Sequence, residues 1–213
     1  MSILDGHFPG SVIQQGNVKL VQGEHISHWE LSGAVYHVAI HLADSVPADQ
    51  LRVWREKRQE LSERRKSRPD QALTDEEIAE LRELYNEKIE RYLNAGYGCC
   101  ALRSSAVAEA IAKALEHGHN RTHRLRLLTI MPNHLHIIAM SLGEFKMAEI
   151  VNGWKSVSAH AIAKISGMKA PIWLRDHYSR IIRTPEEYQR QDGYIWHNPE
   201  TAGLAEGYFR KRY

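Results

Sequence analysis

The stretch Met131–Pro132–Asn133–His134–Leu135–His136–Ile137–Ile138 constrains this chain more than any other. It follows the apolar run Leu125, Leu127, Leu128 and Ile130 and continues into Met140. Two β-strands meeting at a tight Pro-Asn turn are what such a pattern predicts. Side chains two apart on a strand point to the same face, so His134 and His136 project together with Leu135 behind them in the core. Two imidazoles side by side on a rigid strand are half of a metal site or a general-base pair. The alternative for an isolated His-x-His is one hydrogen-bonded structural histidine and one exposed one.

With 213 residues, the chain suffices for one domain of ordinary size with a decoration. We expect a single domain over 1–213, carrying an N-terminal arm at 1–32 and a helical insertion at about 44–96. Hydrophobic residues make up 43%, enough for a full core, and the net charge of +2 permits nucleic acid without arguing for it. The only cysteines are the adjacent Cys99 and Cys100, with no metal spacing around them, which suggests a reduced cytoplasmic compartment. No segment reads as a signal peptide or as the roughly 18 apolar residues of a membrane helix. A soluble protein without a membrane partner is the expectation.

Along the chain, 34–42 reads as a strand with Tyr36, Val38, Ile40 and Leu42 on one face and His37 and His41 on the other. The histidine face is expected to be partly solvated unless this strand neighbours the His-x-His strand. A helix opening at Ser45–Val46–Pro47 carries Leu51, Trp54 and Leu61 on one side. Eight Lys/Arg fall between Arg52 and Arg68, diluted by Glu56, Glu60 and Glu63. Thr74–Glu77 is a capping box that starts a second helix with Ile78, Leu81, Tyr85, Ile89 and Tyr92 at helical spacing. Ser104–Ser105 open an Ala-rich helix through Val107, Ile111 and Leu115. After the two central strands comes a helix with Met147, Ile150, Trp154, Val157, Ala161 and Ile165 inward and Lys155, Ser156, Ser158 and Lys164 outward, stopped by Gly167. Residues 171–174 and 179–182 read as short extended pieces. The order predicts an α+β fold with a mostly antiparallel central sheet, flanking helices and an inserted helical hairpin.

Thr184–Pro185–Glu186–Glu187 is a clear helix start, with Thr at the N-cap, Pro at N1 and Glu at N3. Pro199 should stop that helix at Asn198. Gln191, Tyr194 and Asn198 then share one face, while Tyr188 and Ile195 anchor another.

The motifs M-P-N-H-L-H-I-I, W-K-S about twenty residues later, R-I-I-R-T-P-E-E-Y and Y-I-W-H-N-P-E-T-A-G-L together resemble the single-tyrosine HUH transposases, most closely the REP-associated tyrosine transposases. The resemblance covers about residues 34–43 and 98–204. It implies a compact α+β HUH endonuclease core, ferredoxin-like or RRM-like, that cleaves single-stranded DNA at hairpin-associated sites. His134 and His136 match the family's metal-binding pair, Asn198 the position of a third polar ligand, and Tyr194 the nucleophile. The resemblance therefore makes Tyr194, His134 and His136 the catalytic set, with His134, His136 and Asn198 holding a divalent ion, Mg²⁺ or Mn²⁺. Lys155 and Ser156 of the W-K-S stretch, with Arg180 and Arg183, are the implied DNA contacts. Single-stranded or hairpin DNA is the implied partner, a homodimer is a second, and a bacterial, nucleoid-associated protein is the implied setting.

The insertion at 44–96 exceeds the family's compact core, and the N-terminal arm has no counterpart in it. The basic-aromatic end Phe209–Arg210–Lys211–Arg212–Tyr213 either touches DNA or frays, and Tyr208 and Tyr213 lie outside the helical face of the nucleophile. Two other functions compete with transesterification. One is a domesticated DNA- or RNA-binding protein that recognises hairpins and no longer cuts; the other is a metal-dependent hydrolase with water as its nucleophile.

Overall fold

Five strands form the centre of the protein, described in a computed structural model over residues 19–22, 27–66 and 90–213. They are β3 (Val35–His41), β4 (His123–Ile130), β5 (His134–Ser141), β6 (Tyr178–Ile182) and β7 (Phe209–Arg212), in the order β6-β3-β5-β4-β7. Every neighbouring pair is antiparallel. A separate antiparallel pair, β1 (Lys19–Gln22) and β2 (Ser27–Glu30), lies within the predicted arm. The helices are α1 (Ala48–Lys66), α2 (Glu90–Asn94), α3 (Ser105–Glu116), α4 (Met147–Ser166), α5 (Pro185–Trp196) and α6 (Asn198–Thr201). The fold is α+β, as its element order predicts.

Alternation along the strands gives the sheet two unlike faces. On one, Tyr36, Val38, Ile40, Leu135, Ile137 and Ala139 pack against Val107, Ile111 and Leu115 of α3 and Ile150, Val151, Trp154 and Ile162 of α4. On the other, Val35, Leu127, Ile138 and Ile182 meet Ile195, with Tyr188, Tyr194 and Trp196 of α5 packed alongside. Beside them Ala39 meets Val46, Leu51, Leu93 and Leu174. A register shift between Leu125 and Leu127 explains how β4 serves both cores. Strict alternation would put these two leucines on one face, but the extra residue in the bulge turns the strand over. Leu125 therefore joins the first core and Leu127 the second.

The hairpin predicted at Pro132–Asn133 closes through Met131 N–H to the His134 carbonyl, at 2.8 Å. The Gly167 C-cap of α4 forms in the left-handed conformation (φ 72°), where glycine has no Cβ to clash. The Thr184 hydroxyl accepts from the Glu187 N–H at 3.1 Å, completing the predicted N-cap of α5.

Several expectations are corrected. His37 and His41 are buried, because α5 and the segments around α1 and α2 cover their face. In α4, Val157 and Ile165 are exposed, whereas Ser158 and Ile162 turn inward. Ser158 is accommodated because its hydroxyl donates to the Trp154 carbonyl and accepts from Trp173 Nε1. Helix α5 ends at Trp196, and Asn198 opens α6. Proline has no N–H to continue the helical ladder but fits a first turn, so the chain breaks and restarts around it. The C-terminal end does not fray: it is the edge strand β7, paired with β4 from Leu127↔Arg212 to Ile130↔Phe209.

Helix α1 and the short α2 fall where the helical hairpin is expected. Within α1, Glu60 pairs with Lys57 at 3.1 Å and with Arg64, as on a solvated helix face. The Thr74 capping box, the helical positions Ile78 to Ile89, and the side chains of Trp54 and Leu61 lie outside the described residues.

Candidate functional site

Strand order decides the chemistry available here. Because β3 lies against β5, His41 pairs across the ladder with His134, and Ala39 with His136. Cross-strand partners project to the same face, so His37, His41, His134 and His136 gather on the face covered by α5. All four are buried. His134 Nε2 and His136 Nε2 are 3.1 Å apart, His136 Nδ1 and His37 Nε2 are 3.1 Å apart, and the His41 and His134 rings meet at 6.0 Å.

The hydrogen bonds around this row orient His134. Asn133 donates its Nδ2 to the Tyr97 carbonyl at 2.9 Å, which leaves Oδ1 to face His134 Nδ1 at 2.8 Å. An amide oxygen only accepts, so His134 carries its proton on Nδ1 and presents the Nε2 lone pair toward His136. Tyr97 is held in reach by its neighbour Gly98, whose φ of 94° brings the backbone against Asp44; a Cβ there would lie 2.6 Å from the Asp44 carbonyl oxygen. At the other end of the row, the Gln191 side chain acts on His37 and opposes the lowering of its pKa.

Burial holds the row neutral. Desolvation, then the neighbouring His136, pushes His37 and His134 well below the ordinary imidazole range, with Arg180 also acting on His37 and His41 on His134. Desolvation alone brings His136 to about 4; His41 falls to about 3 through desolvation, His136 and Lys155 in that order. Neutral imidazoles with lone pairs on Nε2 are metal ligands in waiting.

The spacing of the two Nε2 atoms is compatible with adjacent ligands of one divalent ion. Ligand atoms at right angles on an octahedral ion with bonds near 2.1 Å lie about 3 Å apart, close to the 3.1 Å between the two Nε2 atoms. Among the described residues no group of three or more His, Cys, Asp or Glu meets the geometry of a metal cluster. An amide is the other available donor. Asn198 is 1% exposed, and neither its Oδ1 nor its Nδ2 has a hydrogen-bond partner among the described residues. A buried amide without partners costs about 1–3 kcal/mol and calls for a reason.

Tyr194, on α5, packs the edge of its ring against His136 with 5.9 Å between centroids. The structure thus brings His134, His136 and Tyr194 together, with Asn198 buried just beyond the helix that carries the tyrosine. Of the residues expected to touch DNA, Lys155 stands close enough to depress His41 and donates its Nζ to the Arg175 carbonyl at 2.6 Å. Burial lowers its own pKa, although Asp176 opposes the shift. Ser156 is exposed on α4. Arg180 acts on His37 but is held by the carboxylate of Glu187, which is 6% exposed and also accepts the Arg183 N–H at 2.9 Å. The Arg183 side chain is exposed.

Asn133, His37, His41 and Gln191 were not assigned to the site from sequence. Asn133 adjoins the His-x-His motif, and alternation places His37 and His41 on one face. The missing knowledge was which strand lies beside β5. Thr129, paired with His136 across β4 and β5, is a further buried group on this face, and its hydroxyl has no hydrogen-bond partner among the described residues.

No protein-family model and no curated protein matches the chain. Among solved structures it is similar to one described as the REP-associated tyrosine transposase bound to a REP hairpin. The likeness has 15% identity and a TM-score of 0.48, and spans 86% of this chain and 76% of that one. A superposition at that level assigns no role to any residue here.

Proposed function

We propose that this protein is a metal-dependent single-stranded DNA endonuclease and strand transferase, acting at hairpin-associated sites through Tyr194. One juxtaposition carries the reading: paired imidazoles with Nε2 atoms 3.1 Å apart, and a tyrosine ring against one of them at 5.9 Å. The order of sequence motifs and the unpartnered amide of Asn198 support it. The DNA class of the substrate rests on the motif resemblance.

His134, His136 and Asn198 would hold the ion, Mg²⁺ or Mn²⁺, which when bound polarises a phosphodiester as a Lewis acid. Asn133 fixes His134 so that Nε2 faces the site, and the shared burial of the histidines keeps them neutral and excludes water. A phenol with an ordinary pKa near 10 is a weak nucleophile until it loses its proton. The Tyr194 oxygen attacks phosphorus; the phosphorus–O3′ bond breaks and O3′ leaves as a hydroxyl. The phosphate stays on the enzyme as a 5′-phosphotyrosine. Attack by a 3′-hydroxyl on that ester reverses the step and joins strands without ATP. Lys155 and Ser156, with Arg180 and Arg183, are the proposed phosphate contacts. For Arg180 this means sharing its charge with Glu187.

The test mixes the protein with end-labelled hairpin DNA from sequence flanking its gene, in Mn²⁺, followed by denaturing electrophoresis. The expected result is an adduct that survives SDS and is missing with Tyr194→Phe and with His136→Ala. Cleavage that persists in Tyr194→Phe would replace the tyrosine with water. Tight binding without cleavage would leave a hairpin-binding module.

A further inference from the structure

The row of hydrogen bonds on the buried face extends past the two expected metal ligands. His136 Nδ1 meets His37 Nε2 at 3.1 Å, and the Gln191 side chain acts on His37 from α5. Gln191 lies on α5, one turn from Tyr194. His37 is 5% exposed, and the ring of Tyr178 packs edge-on against it at 5.4 Å. The imidazole is therefore locked in orientation between β5 and α5.

We propose that His37 is a positioning residue that sets the tautomer and ring orientation of His136. The inference rests on the metal centre proposed above. A neutral His136 can ligate through Nε2 only if its proton sits on Nδ1, and that proton then needs an acceptor. The atom in place is His37 Nε2. Its lone pair is free only when His37 carries its own proton on Nδ1, and the Gln191 carbonyl oxygen is the acceptor suited to that proton. Asn133 does the same for His134 directly. The two ligands are thus oriented from opposite ends of the row, one from the hairpin turn and the other from β3.

The measurement is Mn²⁺ affinity of the full-length protein after EDTA treatment, read from the electron paramagnetic resonance signal of free Mn²⁺. Circular dichroism melts accompany it. Loss of a residue that orients a ligand typically weakens metal binding about 10- to 100-fold. His37→Phe, which removes the acceptor, should show a loss of that size. His37→Gln, which restores an acceptor, should stay within about three-fold of wild type, and Gln191→Leu should fall between them. A His37→Phe variant that melts like wild type and binds Mn²⁺ equally well would overturn the positioning role and leave the metal centre standing. Wild type that binds no Mn²⁺, Mg²⁺ or Zn²⁺ would remove the metal centre and this inference with it. Should His37→Phe fail to fold, Gln191→Leu decides: wild-type affinity overturns the role and weakened affinity upholds it.

Discussion

The two faces of the central sheet obey different rules. The face under α3 and α4 is filled by Tyr36, Val38, Ile40, Leu128, Leu135 and Ile137 against Ile111, Leu115 and Val151. Polar groups admitted there have partners, as Ser158 does between Trp154 and Trp173, and as His123 does with the Leu115 carbonyl and the Thr122 hydroxyl. The indole N–H of Trp154 and the Ser141 hydroxyl, which β5 turns to the same face, are the exceptions among the described residues. The opposite face buries four histidines, along with the Thr129 hydroxyl and, beyond α5, the Asn198 amide, neither of which has a partner among the described residues. Interiors normally satisfy such groups, and local breaches of that rule gather where function requires them. The first face carries the larger apolar core; the second gathers the buried polar groups on which the proposed chemistry rests.

The sharpest way to break this contrast is to remove the proposed nucleophile. Tyr194→Phe should reduce adduct formation by roughly a thousand-fold or more, the scale expected when a covalent nucleophile is lost, with the melting temperature nearly unchanged. Tyr194 is only partly buried, and phenylalanine keeps the ring that packs against the core. Adduct at wild-type levels in this variant would place the reactive group elsewhere.

A core truncation should do the reverse. Ile111 is 0% exposed in the middle of α3, and Ile111→Ala should cost about 2–5 kcal/mol through lost transfer energy and the cavity left behind. Urea unfolding measures it. At temperatures where the variant is still folded, its rate of DNA cleavage should match that of wild type. A large fall in cleavage by folded protein would mean that the two faces are mechanically coupled.

The apolar face was the readable one. The spacing of Val107, Ile111 and Leu115 marks α3, and Gly167 marks the end of α4, because period and capping are local properties. The helical period of α4 was legible but its phase was not. A stripe through Val157 and Ile165 fits the spacing as well as one through Ser158 and Ile162, and only the position of Trp173 decides between them. On the reactive face the His-x-His pair was legible, since two residues on one strand need no tertiary information. His37 needed the strand order. The strand β7 was missed for a related reason: Phe209–Arg212 is short and basic, and it becomes a strand because β4 offers an unpaired edge. Once there, Arg210 donates to the Trp196 carbonyl and Glu200, both at 2.7 Å, and Arg212 pairs with Asp192 at 2.6 Å. These contacts tie the C-terminal half of α5 to the sheet, next to Tyr194.

Acid should act selectively on the histidine face. An unfolded imidazole takes its proton near pH 6.5. Burial, aided by His136 and Lys155, holds His41 to about 3, and burial holds His136 to about 4. Between those values the unfolded chain binds more protons than the folded one, so stability declines as pH falls from 6.5 toward 4. Each such histidine adds at most about 1.4 kcal/mol per pH unit to the decline. Urea midpoints in EDTA at pH 7.0 and 4.5 would reveal it, and His41→Leu should flatten the dependence. Equal midpoints at both pH values would contradict a neutral buried row.

The smallest expected effect has the opposite sign. Asn198 is 1% exposed, with both amide atoms unpartnered among the described residues. Leucine has a similar shape and nothing to satisfy, and it can occupy the first turn of α6 before Pro199. Replacing an unsatisfied buried polar group by an apolar one of like shape is neutral to stabilising. Asn198→Leu should therefore raise stability in EDTA by about 1 kcal/mol while weakening Mn²⁺ affinity. That pairing separates a ligand from a structural amide. Were Asn198 held in place by hydrogen bonds to ordered water, the substitution would strand those waters and lower the melting point. The same variant in excess Mn²⁺ should lose its advantage, because only the wild type gains stability from an ion bound to its folded state. A gain in EDTA that disappears in Mn²⁺ would mark the Asn198 amide as a ligand of the ion.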